Sequence, residues 1–208
     1  MASFTVNFKG VINRLERIFE PTGMRQAFEQ AIREKAVAKI IMQAIAYNFD
    51  QEGPGWKPLQ ASTIRNGVSK AKKKKLSKYS DAQILQLEAM ARGKGEPGNK
   101  RILYRSGLLK RSVTNIADGN NVHRVEGTKI VWGTKLGYAA IHNKGGTIRH
   151  PGSKNAFGIP GFTTKPHNIN IPKREFLKLS ALYQTELYEK VGDIVKKIMK
   201  QRIREIRG

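Results

Sequence analysis

A long apolar stripe in the first quarter of the chain constrains the fold most. Phe28, Ala31, Ile32, Lys35, Ala38, Ile41, Met42, Ile45 and Phe49 recur at helical spacing, and all but one are apolar. That pattern predicts a helix over Met24–Phe49 with one face that must be covered. A second stripe, through Phe176, Leu179, Tyr183, Leu187, Val191, Ile194, Val195 and Ile198, predicts a long C-terminal helix from Lys173 onward. Unbroken to Arg207, it would run about 50 Å. Val11, Ile12, Leu15, Ile18 and Phe19 add a short helix that Pro21 ends.

The surface for these helices comes from period-two segments. Phe4, Val6 and Phe8 share one side of a short strand over Ser3–Phe8. Ser112–Ile116, Val122–Glu126 and Lys129–Gly133 alternate in the same way, and their connectors Asp118-Gly119-Asn120-Asn121 and Gly127-Thr128 suit tight turns. Tyr138–His142 reads as a short apolar turn and Asn168–Ile171 as one more strand. The predicted class is α+β: a small antiparallel β-meander packed against helices, with a long helix in the N-terminal half and another at the C-terminus. Residues 1–172 are expected to form the core domain and 173–208 the C-terminal helix. The core carries a lysine-rich helical insert at about 62–100, with a cap at Asp81, and a long glycine- and proline-rich loop at 147–167.

Charge narrows the partners. Lys and Arg number 39 against 16 Asp and Glu, a formal net charge of +23. A surface this basic attracts nucleic acid, an acidic membrane face or an acidic protein. Lys70, Lys72, Lys73, Lys74, Lys75 and Lys78 form the densest run and are the candidate polyanion contacts. Each phosphate they met would add salt-dependent affinity without reading sequence. Tyr79 is the only aromatic beside them to stack on a base. The longest apolar-rich segment, Ala36–Phe49, is interrupted by Lys39, Gln43 and Asn48, so no membrane span is expected, and no stretch resembles a secretory signal.

Signatures of catalysis are missing from the sequence. With no cysteine there is no thiol nucleophile, Cys-ligated zinc or disulfide framework. Gly93-Lys94-Gly95-Glu96-Pro97-Gly98 fits G-x-G-x-x-G only literally, because a predicted helix precedes it where a dinucleotide site needs a strand. His142, His150 and His167 sit near one another, but Ala139–Lys173 contains no Asp or Glu to complete a metal site. The expectation is a non-enzymatic protein with no metal and no cofactor.

Five segments, in order, carry a resemblance. They are Gly55-Trp56-Lys57-Pro58-Leu59 with Thr63, Ile102 to Ser112 (Ile-Leu-Tyr-Arg-Ser-Gly-Leu-Leu-Lys-Arg-Ser), Trp132-Gly133-Thr134, Tyr138 to Gly146 (Tyr-Ala-Ala-Ile-His-Asn-Lys-Gly-Gly), and Ile171 to Leu177 (Ile-Pro-Lys-Arg-Glu-Phe-Leu). Together they resemble the phage virion-morphogenesis family of tail-completion and neck proteins found in Mu-like and P2-like phages. Glu175 stands where that family usually has proline, and the lysine-rich insert and the loop after Gly146 are enlarged. The resemblance implies a virion protein at the head–tail junction, assembled in the host bacterial cytoplasm. It would form a homo-oligomeric ring, six subunits if it follows tail symmetry. Its partners would be other phage tail and neck proteins, with DNA passing through the ring as a further contact. The charge alone leaves open a stand-alone basic nucleic-acid-binding protein.

Physically, the motif residues read as structural. Trp56 between two prolines is a rigid aromatic anchor, and Gly107 permits a bend before the first meander strand. Tyr138, Ala139 and Ile141 are expected to pack the sheet against a helix, Gly145 and Gly146 to reverse the chain, and Pro172 to fix entry to the final helix. In the long loop, Phe157, Ile159 and Phe162 are candidate interface residues, since a loop with little core of its own would otherwise expose them.

Overall fold

The computed structural model describes residues 1–16, 23–53, 55–57, 59, 78–93, 102–103, 106–152 and 165–207. Among these residues the elements are β1 Ala2–Asn7, α1 Lys9–Glu16, α2 Met24–Ile32, α3 Lys35–Asp50, α4 Asp81–Gly93, α5 Leu108–Thr114, β2 Asn121–Glu126, β3 Lys129–Thr134, α6 Ala139–Lys144, β4 Gly146–His150, β5 His167–Ile171 and α7 Ala181–Arg207. The fold is α+β, with small antiparallel sheets and a long C-terminal helix, as the residue pattern predicts.

The main sheet has the order β1-β3-β2. The β2–β3 hairpin turns through Gly127-Thr128, where Gly127 takes φ +55°, the chemistry a two-residue loop needs. Its third strand differs from expectation. Ser112–Ile116 is no strand: Leu109, Ser112 and Val113 are buried at helical spacing on α5. So short a window cannot separate alternation from a helical face. The place beside β3 goes to β1, with Phe4 opposite Trp132 and Val6 opposite Ile130. Gly133 makes that approach feasible, because a Cβ there would collide with the carbonyl oxygen of Ala2 and lie 2.6 Å from Ser3 Cα.

Trp132 is fully buried and donates through Nε1 to the Val113 carbonyl at 2.8 Å, which closes α5 onto the sheet. On its other side α5 meets α3, and α7 lies along α2 and α3. Phe8, Phe28, Ile41, Phe49, Trp132, Phe176, Leu187 and Val191 therefore belong to one core.

The predicted helix over Met24–Phe49 is two helices. The chain breaks at Arg33-Glu34, where Glu34 is extended (φ −61°, ψ 137°) and starts α3. Lys35, the one charged member of the predicted stripe, is thereby freed to solvent. The break resets the helical phase, and α3 buries Val37, Ala38, Ile41, Ile45 and Phe49. At α4 the cap is Ser80 and not Asp81. Gln83 N–H donates to Ser80 Oγ at 3.3 Å while Ser80 N–H donates to Gln83 Oε1 at 2.9 Å, a reciprocal capping box.

The last helix begins at Ala181, later than the predicted Lys173. Residues 172–180 form no helix, because several of their backbone groups are bound by other elements. Pro172 therefore enters an extended strut, not a helix. Helix α7 starts when Ser180 takes the cap position, accepting from Gln184 N–H at 2.9 Å through its carbonyl.

Candidate interaction surface

The extended strut is bonded on two sides. Asn48, buried on α3, donates through Nδ2 to the Phe176 carbonyl at 3.1 Å and the Lys178 carbonyl at 2.7 Å. From α6, the His142 carbonyl accepts from Arg174 N–H at 2.9 Å, and Asn143 Oδ1 accepts from Leu177 N–H at 3.0 Å. Phe176 rests on Phe49 with ring centroids 5.3 Å apart, and Trp56 meets Phe49 edge-on at 6.2 Å. Three segments far apart in the chain, around Trp56, His142 and Arg174, thus meet at one platform.

A ribbon rises from that platform. Strands β4 and β5 pair antiparallel, with Gly146 opposite Ile171, Ile148 opposite Ile169 and His150 opposite His167 on one face. Most of both strands is exposed, including Ile148 at 44% and Ile169 at 37%. The two imidazoles stack with centroids 4.9 Å apart, and on the opposite face Thr147 Oγ1 lies 2.8 Å from Asn170 Oδ1. Among the described residues the two strands pack chiefly on each other. A two-stranded ribbon is marginal alone in water, so this one depends on its base and on whatever covers its apolar face. The predicted loop at 147–167 is corrected accordingly: its ends are strands.

Glycine shapes the base. Gly145 takes φ +73° and Gly146 φ +148°, so the predicted reversal occurs there. A Cβ on Gly145 would lie 2.7 Å from Lys173 N, which shows how closely the two limbs of the ribbon approach. The other motif residues are placed as follows. Trp56 is half-buried and serves as the predicted anchor. Gly107 takes φ +72° just before α5, so its bend precedes a helix and not a strand. Ala139 is fully buried, whereas Tyr138 is 44% exposed and touches His142 edge-on, so Tyr138 does not pack the sheet. Lys78 is exposed just before α4. Lys70, Lys72, Lys73, Lys74 and Lys75, together with Phe157, Ile159 and Phe162, lie outside the described residues.

Arg174 is a buried cation, 6% exposed. Its Nη2 donates to the Lys57 carbonyl at 3.3 Å, and its Nε has no partner among those residues. His142 Nδ1 is likewise buried and unbonded. Burial, and then the neighbouring Arg174 charge, hold the His142 pKa below the ordinary histidine value. Neutral His142 can sit beside the guanidinium, whereas a second cation there would be repelled. Sequence inspection finds Arg174 as a motif member but gives no sign of its burial. Asn48, which interrupts an apolar run on α3, is the one polar anchor of the strut with a visible sequence signal.

The remaining electrostatics are peripheral. Asp118 accepts from Asn120 N–H and Arg111 Nε, both at 2.9 Å, and these bonds hold its carboxyl below the usual range. Most ion pairs among the described residues are exposed, as with Lys173 and Lys178 on Glu175, and such pairs contribute little. On α7, Lys190, Lys196, Lys197, Lys200 and Arg204 face solvent. No group of three potential metal ligands and no helix long and apolar enough to cross a membrane occurs among the described residues.

No protein-family model, curated protein or solved structure matches this chain.

Proposed function

We propose that the chain is a non-enzymatic structural subunit of a tailed phage, acting at the head–tail junction. It binds other tail and neck proteins as a ring and helps the completed tail join the DNA-filled head. The observation that carries this is the convergence of the separated motif segments. Trp56-Lys57, Tyr138–Gly146 and Ile171–Leu177 build one platform under an exposed ribbon, while Trp132–Thr134 and Leu108–Ser112 lock the sheet behind it. Residues spent on holding a projecting ribbon suit an assembly subunit, whose work is to present surfaces to neighbours. The resemblance to tail-completion and neck proteins supplies the setting, the virion.

The particle made without this chain tests the proposal. Deleting its gene should leave filled heads and separate tails in electron micrographs, and fully joined, infectious particles would end the idea. The net charge of +23 favours a second role, stand-alone binding of nucleic acid. In that case Lys72, Lys73, Lys74 and Lys75 changed together to Gln should weaken DNA binding and flatten its salt dependence. An unchanged slope would remove those four lysines from any such contact.

A further inference from the structure

The β4–β5 ribbon has two unlike faces. Its register sets Thr147 opposite Asn170 and Arg149 opposite Asn168, so these four side chains share one face. Ile148, Ile169 and the two stacked imidazoles share the other. All four residues of the first face are exposed. Thr147 Oγ1 donates to Asn170 Oδ1 at 2.8 Å, which leaves the Asn170 amide N–H groups to donate elsewhere. Among the described residues the side chains of Arg149 and Asn168 have no partner. The face thus offers a guanidinium and two primary amides, and carries no apolar residue.

Its surroundings are cationic as well. Lys144 and Lys173 at the base and Lys165 beside the far end are exposed, and no Asp or Glu occurs between Ala139 and Lys173. Glu175, the next carboxylate along the chain, is already held by Lys173 and Lys178. A polyanion complements such a surface, and the residue types choose among polyanions. An acidic protein would pack around buried apolar and aromatic side chains, and this face has none. Protein–DNA interfaces are polar and strongly cationic, as this face is. The shape agrees. Two strands about 4.8 Å apart, each of five residues and about 16 Å long, make a ribbon narrow enough for a major groove about 12 Å wide.

We propose that the polar face of the β4–β5 ribbon lies against the major groove of duplex DNA. Arg149 reaches a phosphate at the groove's edge, and the Asn168 and Asn170 amides donate to acceptors within it. Purine N7 is an acceptor in both A·T and G·C pairs, so such single contacts carry little sequence preference. This contact deepens the neck reading by naming the surface that meets DNA, and rests on that reading for its biological setting only.

Fluorescence anisotropy of the full-length protein with a short labelled duplex of mixed sequence, over a range of KCl, is the test. Arg149→Gln removes one positive charge from the ribbon. Lys39→Gln removes the same charge from an exposed site on α3, beside Glu186 and Glu189. Circular dichroism checks that each variant folds. Arg149→Gln should flatten the slope of log Kd against log salt by about 0.9, one phosphate contact, while Lys39→Gln and the charge-keeping Arg149→Lys should leave it unchanged. Asn168→Ala changes no charge and should weaken binding about 2–10-fold at an unaltered slope. Equal slopes for Arg149→Gln and Lys39→Gln, or full affinity in Asn168→Ala, would overturn the proposal. Labelled polyglutamate separates an acidic protein from DNA: its binding should be indifferent to Asn168→Ala. If both ribbon variants weaken it as much as they weaken duplex binding, the face serves an acidic protein and the assignment to DNA falls. Failure here with separate heads and tails in the gene deletion removes this contact alone. Normal particles from the deletion remove the neck role, whatever the anisotropy shows.

Discussion

Replacing Asn48 by Ala should loosen the ribbon from its base before it unfolds the sheet. The side chain is 9% exposed and satisfies two carbonyls of the strut, those of Phe176 and Lys178. The bond to Phe176 is buried, so an orphaned carbonyl there costs about 1–3 kcal/mol. The bond to Lys178 is only partly buried, and water can replace it for about 0–1 kcal/mol. A small cavity adds about 1 kcal/mol, giving a total of about 2–5 kcal/mol. With a urea slope of about 2–3 kcal/mol/M for a chain of this size, the midpoint should fall by about 1–2 M. Hydrogen exchange should show the amides of Arg174 and Leu177, which donate to His142 and Asn143, losing protection well before those of β3. Asn48→Asp keeps the shape but turns a carboxylate toward two carbonyl oxygens, so it should be worse than Ala. A midpoint shift under about 0.3 M, or an Asp variant milder than the Ala one, would refute Asn48 as the strut's anchor.

Gly145→Ala should lower the melting temperature by about 4–10 °C, from strain at φ +73° and the contact with Lys173 N; no change would mean that the two ribbon limbs have room to separate. Stability should also fall on mild acidification. His142 is held low by burial and Arg174, and His123 by burial. The unfolded chain therefore takes up these protons first. Stability is full above about pH 6.5, declines below it, and levels off once the folded protein protonates too. Urea midpoints of His142→Gln should vary less than wild type between about pH 7 and pH 5, and an unaltered slope would assign the effect elsewhere.

How much of this was legible beforehand depended on the range of the interactions involved. The α+β class, the β2–β3 hairpin and the α7 stripe are local periodicities and read directly from Gly127-Thr128 and the Leu187–Val191–Val195 spacing. The break at Arg33-Glu34 was hidden because both helices keep apolar faces, and only Lys35 in the stripe betrayed the change of phase. Strand β1 joined a sheet whose other strands lie more than a hundred residues away, a pairing that no local window contains. Phe176 and Leu179 fit the spacing of the later stripe, so periodicity alone extends the predicted helix back to Lys173. Their backbone is instead taken by Asn48, His142 and Asn143. In the ribbon, Thr147-Ile148-Arg149-His150 alternates, but the surrounding glycines and prolines outweighed so short a signal.

The central claim, a structural subunit at the head–tail junction, is tested most directly by locating the chain in finished particles. Purified virions of the phage that carries this gene, labelled with antibody against the chain and imaged by electron microscopy, should show label confined to the junction between head and tail. Label spread over heads or tail tips, or a chain absent from purified virions by mass spectrometry, would contradict the account.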